Sequence, residues 1–291
     1  TVSLQIGQEL PGGLGVGGSL QHSGGVDDLT AHLGGGLVHG GQTGAVSVGA
    51  VDDTGVHTAL AYLGGDFFFP KNRTADCISY LEKITKPERQ VVLHHLAVSG
   101  QILATGGKTC NCLLHPSVRQ AVHSKYAKAM AAELTWCLEH LNDEFKDALE
   151  KEYATLNPQK ASKVDFDTLF AAVKNLLETN AVKVIVMNGK NDVDSAEYSS
   201  GSNIIIGGNT LGRGVTFPGL HTIYYTRTSK KPQADTMWQH SRMFGYDRDP
   251  GMMKVFIDEP LYKLFADINA TNNSIITQIG KGTEHIKILS N

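Results

Sequence analysis

NIIIGGNTLGRGVTFPGLHTIYY, residues 203–225, is the stretch whose reading decides the fold. A β-branched apolar run, Ile204 to Ile206, ends in Gly207-Gly208-Asn209. The chain then turns through Thr210, Gly212, Arg213 and Gly214, and Phe217-Pro218-Gly219 feeds a second run that ends at Tyr225. Short runs of continuous apolar character predict strands buried on both faces, as in a parallel sheet. In open parallel sheets the crevice outside the carboxyl ends of the strands holds ligands. Glycines there let backbone N–H groups approach an anion closely, and Arg213 and Thr216 supply further donors. A tight connection between strands, rich in turn residues, accounts for the same composition, and the stretch alone does not separate the two.

The flanking chain repeats the strand-and-helix alternation. Helical spacing runs over 86–103, opened by Pro87 in the first turn. TCNCLLH (109–115) reads as a buried strand, and two helices follow from a Ser117 cap to about residue 156. Another helix spans 165–180 behind an Asp165 or Asp167 cap. AVKVIVMN (181–188) and MKVFID (253–258) read as strands, QADTMWQHSRMFG (233–245) as a short helix, and the stretch from Glu259 as a closing helix. This pattern predicts a three-layer α/β domain with a mostly parallel sheet over about 75–275, a helical insertion at about 118–180 and a tail at 276–291.

Residues 1–70 have another character. They hold more than half of the chain's 32 glycines and no lysine or arginine, while Glu9, Asp27, Asp28, Asp52, Asp53 and Asp66 are acidic. With the whole chain at −3, the remainder is net +3. Neither a 3.6 nor a 2.0 period persists in this segment, and so much glycine is costly to order. It is expected to be poorly structured, or to stem from a wrong start. GLGVGG (13–18) lacks the preceding strand and following helix that a dinucleotide-binding turn needs.

No apolar run reaches the ~18–20 residues of a membrane span, and no secretory signal is evident. Cys110 and Cys112 form a C-x-C without a second pair at zinc-ligand spacing, so alternate positions of a buried strand are the expected place for them, and no metal site is expected. Four cysteines without a disulfide pattern suit a cytoplasmic protein. GGKT (106–109) imitates a phosphate-binding loop, but the position that should hold its first glycine is Ile102, and the order is helix then strand. It reads as a helix-ending glycine pair.

TMWQHSRMFGYDRDPG (236–251) supplies Gln239, Arg242 and Arg248. Together with Arg213-Gly214-Val215-Thr216-Phe217-Pro218, it resembles the second RecA-like domain of superfamily 2 helicases, although the arginines fall three and nine residues after the glutamine. LLHPS (113–117), His123, IIIGGNTLGRGVTFPGL, YYTRTS and ADTMWQHSRMFGYDR together resemble the Z-one domain family, described as endonuclease domains of bacterial restriction–modification and conflict systems.

The resemblance implies a helicase-related, RecA-like ATPase body that uses ATP and Mg²⁺. It implies catalytic roles for Arg242, Arg248 and Gln239, with nucleotide contacts from Gly212, Arg213, Gly214, Thr216 and Asp235. The P-loop and Mg²⁺ ligands would belong to a separate RecA-like domain, in cis or in trans. DNA and restriction–modification subunits are the implied partners. His115, Ser117, His123, Lys230 and Lys231 are candidates for nucleic-acid contact, against the alternative of structural histidines and a solvated loop. Without the resemblance, internal pairs such as Arg242–Asp235 or Arg248–Asp249 are the preferred account of the arginines. No carboxylate pair with a nearby lysine and no H-x-H spacing stands out, and DVDSAE (192–197) is an isolated acidic loop, so DNA cleavage by this chain alone is not expected. A non-catalytic DNA-binding or scaffold module, or a truncated product, are the alternatives.

Overall fold

The computed structural model describes residues 62–142, 144–187, 193–208, 211, 215–227 and 242–281. Most of the glycine-rich segment and the short helix expected over 233–245 lie outside them, apart from their last residues.

Six strands form one sheet: β1 (Ile78–Tyr80), β2 (Thr109–His115), β3 (Val182–Met187), β4 (Gly201–Gly207), β5 (Leu220–Tyr225) and β6 (Lys254–Ile257). Their order is β1-β6-β5-β2-β4-β3, and every pairing is parallel. The helices are α1 (Pro87–Ala104), α2 (Gln120–Glu139), α3 (Glu144–Thr155), α4 (Phe166–Glu178) and α5 (Glu259–Gly280), with a one-turn helix at Gly65–Phe68. The expected three-layer α/β architecture is present. The three helices α2 to α4 fill the interval between β2 and β3.

Alternation along the strands sorts the core into two layers. Cys110, Cys112 and Leu114 of β2, Ile204 and Ile206 of β4 and Phe256 of β6 face α1 to α4. Leu113, Ile205, Ile223, Val255 and Ile257 face the other way, toward Phe265 of α5, Phe68, Phe69, Leu211, Phe217 and Met243. Helices thus cover one face, while α5, the segment from Leu63 and several loops cover the other. The structured body starts earlier than the change in composition suggests, because Leu63, Phe68 and Phe69 are core residues. Asn269 and Asn273 of α5 both donate to Asp66 Oδ1, at 2.8 and 2.6 Å, tying this early segment down.

Helix α1 crosses the middle of its layer and is buried without interruption from Val91 to Gln101. Neighbours on every side explain its weak amphipathicity. Its polar groups are paired with the sheet: His94 Nδ1 with Thr222 Oγ1 at 2.8 Å, His95 Nε2 with Ser202 Oγ at 2.9 Å, and Ser99 Oγ with Ser202 Oγ at 2.9 Å. Gly100 lets α4 pack against its backbone, since a Cβ there would lie 2.8 Å from Val173 Cγ2. The end of α1 is a Schellman turn, with Gly107 N–H donating to Ile102 O and Gly106 N–H to Leu103 O. Gly106 has φ +83°, so GGKT is a helix stop rather than a phosphate loop. Asp165 caps α4 through Thr168 N–H, as its sequence suggests. Helix α2 begins at Gln120 rather than directly after Ser117, whose Oγ accepts from Arg119 N–H.

Burial lowers His95 to about 3 and His221 to about 4, and takes His94 well below its ordinary 6.5. In the unfolded chain these rings take up protons near pH 6.5, whereas in the fold they stay neutral. Between those limits the unfolded state binds more protons, so stability falls as pH drops from about 6.5 toward 4. Each pKa unit corresponds to about 1.4 kcal/mol. The urea midpoint is expected to fall across that window, and to fall less steeply in His95→Gln. An equal slope in the variant would remove His95 as a source of the acid sensitivity and leave it to His94, His221 and the carboxylates.

Candidate functional site

Strands β2 and β4 are neighbours whose chains leave the carboxyl edge toward opposite faces. After His115 the chain turns into α2 on the four-helix side, while after Gly207 it passes to Leu211 on the other. A crevice opens at such a switch point. Its rims approach through glycine: a Cβ on Gly208 would lie 2.9 Å from His123 Cε1 and 3.0 Å from Ser117 O. His123 is buried on the first turn of α2, with Nε2 2.6 Å from Ser117 O. When Nε2 carries the proton and donates to that carbonyl, Nδ1 is left as a buried atom without a hydrogen-bond partner.

His115, at the end of β2, is fully buried with Nε2 3.4 Å from Arg227 Nη1, and its carbonyl accepts from Thr226 N–H. Arg227 ends the run YYTR just past β5, so the chain's parallel topology brings it to the same edge. Sequence reading places it with Lys230 and Lys231 in the basic run RTSKKPQ (227–233), a solvated loop or a phosphate-backbone contact. Its signal was its position, two residues beyond an apolar run.

Arg242 reaches the crevice from the other side. Its Nε donates to Leu211 O at 2.6 Å, and Leu211 N–H in turn bonds Gly208 O. The loop after β4 is therefore flanked by His123 and Ser117 on one side and by Arg242 on the other. Arg242 holds φ +52°, an uncommon backbone for a residue with a Cβ. Burial alone lowers its guanidinium below the ordinary arginine value, and burial does the same to Arg227, partly offset by Tyr225. Among the described residues no carboxylate forms an ion pair with either arginine. Arginine stays charged under such shifts, so two half-buried positive charges at one edge suit an anion such as a phosphate.

Arg248 is placed differently. Its guanidinium is buried, pairs with Asp247 and donates to the carbonyls of Arg242 (3.2 Å) and Phe217 (3.4 Å). Asp247 also accepts from Gly219 N–H at 2.6 Å, while Asp249 accepts from the amides of Gln159, Lys160 and Gly251. Asp249 N–H donates to His221 Nε2 at 3.0 Å. The contacts to Phe217, Gly219 and His221 lie at the start of β5, the amino edge of the sheet. Arg248 takes Asp247 as its ion-pair partner, one residue from the Asp249 that the sequence offered as an alternative.

Thr216 is exposed beside buried Phe217. Gly212, Arg213, Gly214, Lys230, Lys231, Asp235 and Gln239 lie outside the described residues. Among the described residues no group of three or more His, Cys, Asp or Glu side chains is placed to hold a metal ion. Cys110 and Cys112 are buried side by side in the core, with thiols that burial pushes up, Cys110 to about 12.

The model of the Z1 domain matches residues 91–287. The chain belongs to the Z1 domain family. The match takes in the sheet from β2 to β6, both rims of the crevice and all three arginines of this site, but not β1 or the segment from Tyr62. No curated protein and no solved structure matches this Z1 chain. No helix of the described residues is long and apolar enough to cross a membrane.

The two arginines of the 242–248 loop should separate experimentally. Arg248→Lys cannot span Asp247 and two carbonyls at once, and is expected to lower stability by about 2 kcal/mol. Arg242→Gly relieves the positive φ while losing one bond, and should change stability by less than about 1 kcal/mol. Denaturant titration of both variants checks the contrast.

Proposed function

We propose that this chain is the arginine-bearing half of an ATP-dependent DNA-processing protein, the endonuclease component of a cytoplasmic restriction–modification or phage-defence system. In this reading Arg242 meets the terminal phosphate of a nucleotide held between the RecA-like α/β domain and a separate P-loop domain, in cis or in trans. The observation that carries it is Arg242 itself: a half-buried guanidinium anchored by Nε to Leu211 O, on strained backbone, with no ion-pair carboxylate among the described residues. Strain of this kind persists where the surroundings over-determine a geometry.

Phosphoryl transfer depends on placement and charge stabilisation rather than on covalent help from the protein. Arg242 holds negative charge on the transferring group as it develops. The Gly212-Arg213-Gly214 turn and Thr216 supply donors along the phosphates, Gln239 orients the attacking water and Asp235 braces the arginine. The P-loop domain brings the Mg²⁺ ligands, and the ion neutralises the phosphate oxygens when bound. DNA follows the opposite rim, past Ser117 and the Lys230-Lys231 loop, by contacts to its backbone, while buried His115 and His123 shape that rim from beneath.

A non-catalytic DNA-binding or scaffold module is the second reading, favoured by the internal use of Arg248. Arginines supplied across domains are worth about 10³–10⁵ in rate. In the protein assembled with its P-loop domain, Arg242→Ala is expected to reduce ATP hydrolysis at least about 10³-fold while the nucleotide still binds the P-loop. Unchanged turnover would sink the enzyme reading and leave the module.

A further inference from the structure

Residues 62–69 precede the part of the chain that the Z1 family model covers, yet they touch the loop that carries Arg242. Leu63 N–H donates to Gly245 O at 2.9 Å, and Gly245 N–H donates back to Leu63 O at 3.2 Å. This reciprocal antiparallel bridge is the one such pairing outside the named strands among the described residues. Rings reinforce it. Tyr62 lies against Tyr246 with centroids 4.8 Å apart, and Phe68 against Phe244 at 5.7 Å. Leu63 is buried, and Phe68 and Phe69 anchor the segment in the core beneath α5.

The contact continues inward. Gly245 lies flat on Arg248, since a Cβ there would meet Arg248 Cζ and Nη1 at 2.9 Å. Arg248 Nη2 donates to Arg242 O at 3.2 Å, and Arg242 sits at its φ of +52° with Nε on Leu211 O. Leu63, Gly245, Arg248 and Arg242 thus form one unbroken series of contacts, from a segment outside the family's span to the crevice.

We infer that residues 62–69 are a strap that sets the position of Arg242, with Leu63, Gly245 and Arg248 as positioning residues and Arg242 as the group that receives a phosphate. The inference rests on the phosphate role of Arg242 proposed above. The strap holds the loop by main-chain bonds, so Gly245 is its sensitive point. A methyl group there displaces the Arg248 guanidinium and removes the donor from Arg242 O. Leu63→Pro removes the N–H that bonds Gly245 O.

The test uses the full chain and sodium tripolyphosphate as the probe, followed by calorimetry, with hydrogen exchange of the 242–248 amides measured in parallel. Gly245→Ala and Leu63→Pro are expected to weaken tripolyphosphate binding at least about tenfold and to speed exchange in 242–248. Ile268→Ala opens the same core layer without touching the loop, and should lower Tm while keeping the affinity. A merely structural strap would make the three variants alike, and that result overturns the inference. So does wild-type affinity in Gly245→Ala and Leu63→Pro when Arg242→Ala has lost it. If Arg242→Ala binds as wild type, the phosphate role fails. The strap then stands or falls on exchange alone: unchanged protection of 242–248 in Gly245→Ala overturns it, and faster exchange confined to that loop upholds it.

Discussion

A parallel sheet buried on both faces needs two covers, and this chain makes the second one largely from loops. Four helices pack on one face, but only α5 spans the other. The gap is closed by Leu63, Phe68, Phe69, Leu211, Phe217 and Met243, all buried. Leu211 and Met243 sit in the very connections that reach the crevice, so the site's loops are also core. Rearranging one of them exposes the sheet, and this gives loop backbone the stiffness that functional geometry requires.

That constraint explains the contrast between the two described arginines of the 242–248 loop. Arg248 is buried with Asp247 and two carbonyls, and a buried charge must be paired in this way. It fastens the loop to the start of β5. Arg242, six residues earlier, is held through Nε by the Leu211 carbonyl, and among the described residues no carboxylate pairs with it. One charge is neutralised inside the cover, and the other lies half-buried without an ion-pair carboxylate among the described residues. Arg227 extends the positive character along the same edge, with its Nη1 3.4 Å from His115 Nε2.

Strands β2 to β6 were legible because burial on both faces leaves runs such as NIII and TCNCLL without polar interruption, whereas β1, three half-buried residues at the sheet's edge, was not. Helix stops and caps were legible for local reasons, since Gly106 supplies φ +83° and Asp165 accepts Thr168 N–H within one turn. The polar core was less so. His94, His95 and Ser99 look like an exposed stripe until α2, α3 and α4 enclose α1 and the sheet supplies Thr222 and Ser202, more than a hundred residues away. The strap was hidden for another reason. YLGGDFFFP continues a glycine-rich passage without periodicity, and only its aromatic density marks it.

Sequence reading marked Arg242, His115, Ser117 and His123 by motif and by their place after strands, and it also marked Thr216, which lies ahead of β5. It could not apportion the arginines. Arg242 and Arg248 have the same chemistry and share a loop, and each had an acid within reach along the chain, Asp235 for the first and Asp247 or Asp249 for the second. By itself the sequence determined a parallel α/β body and the edge where its glycines and arginines gather, because periodicity and turn chemistry are local properties. Only the tertiary structure decided which arginine is paired with an acid and which is anchored by a carbonyl alone. That depends on Gly219, Phe217, Leu211 and Leu63 arriving from distant parts of the chain, and charge pairing is settled by distance in space rather than along the sequence.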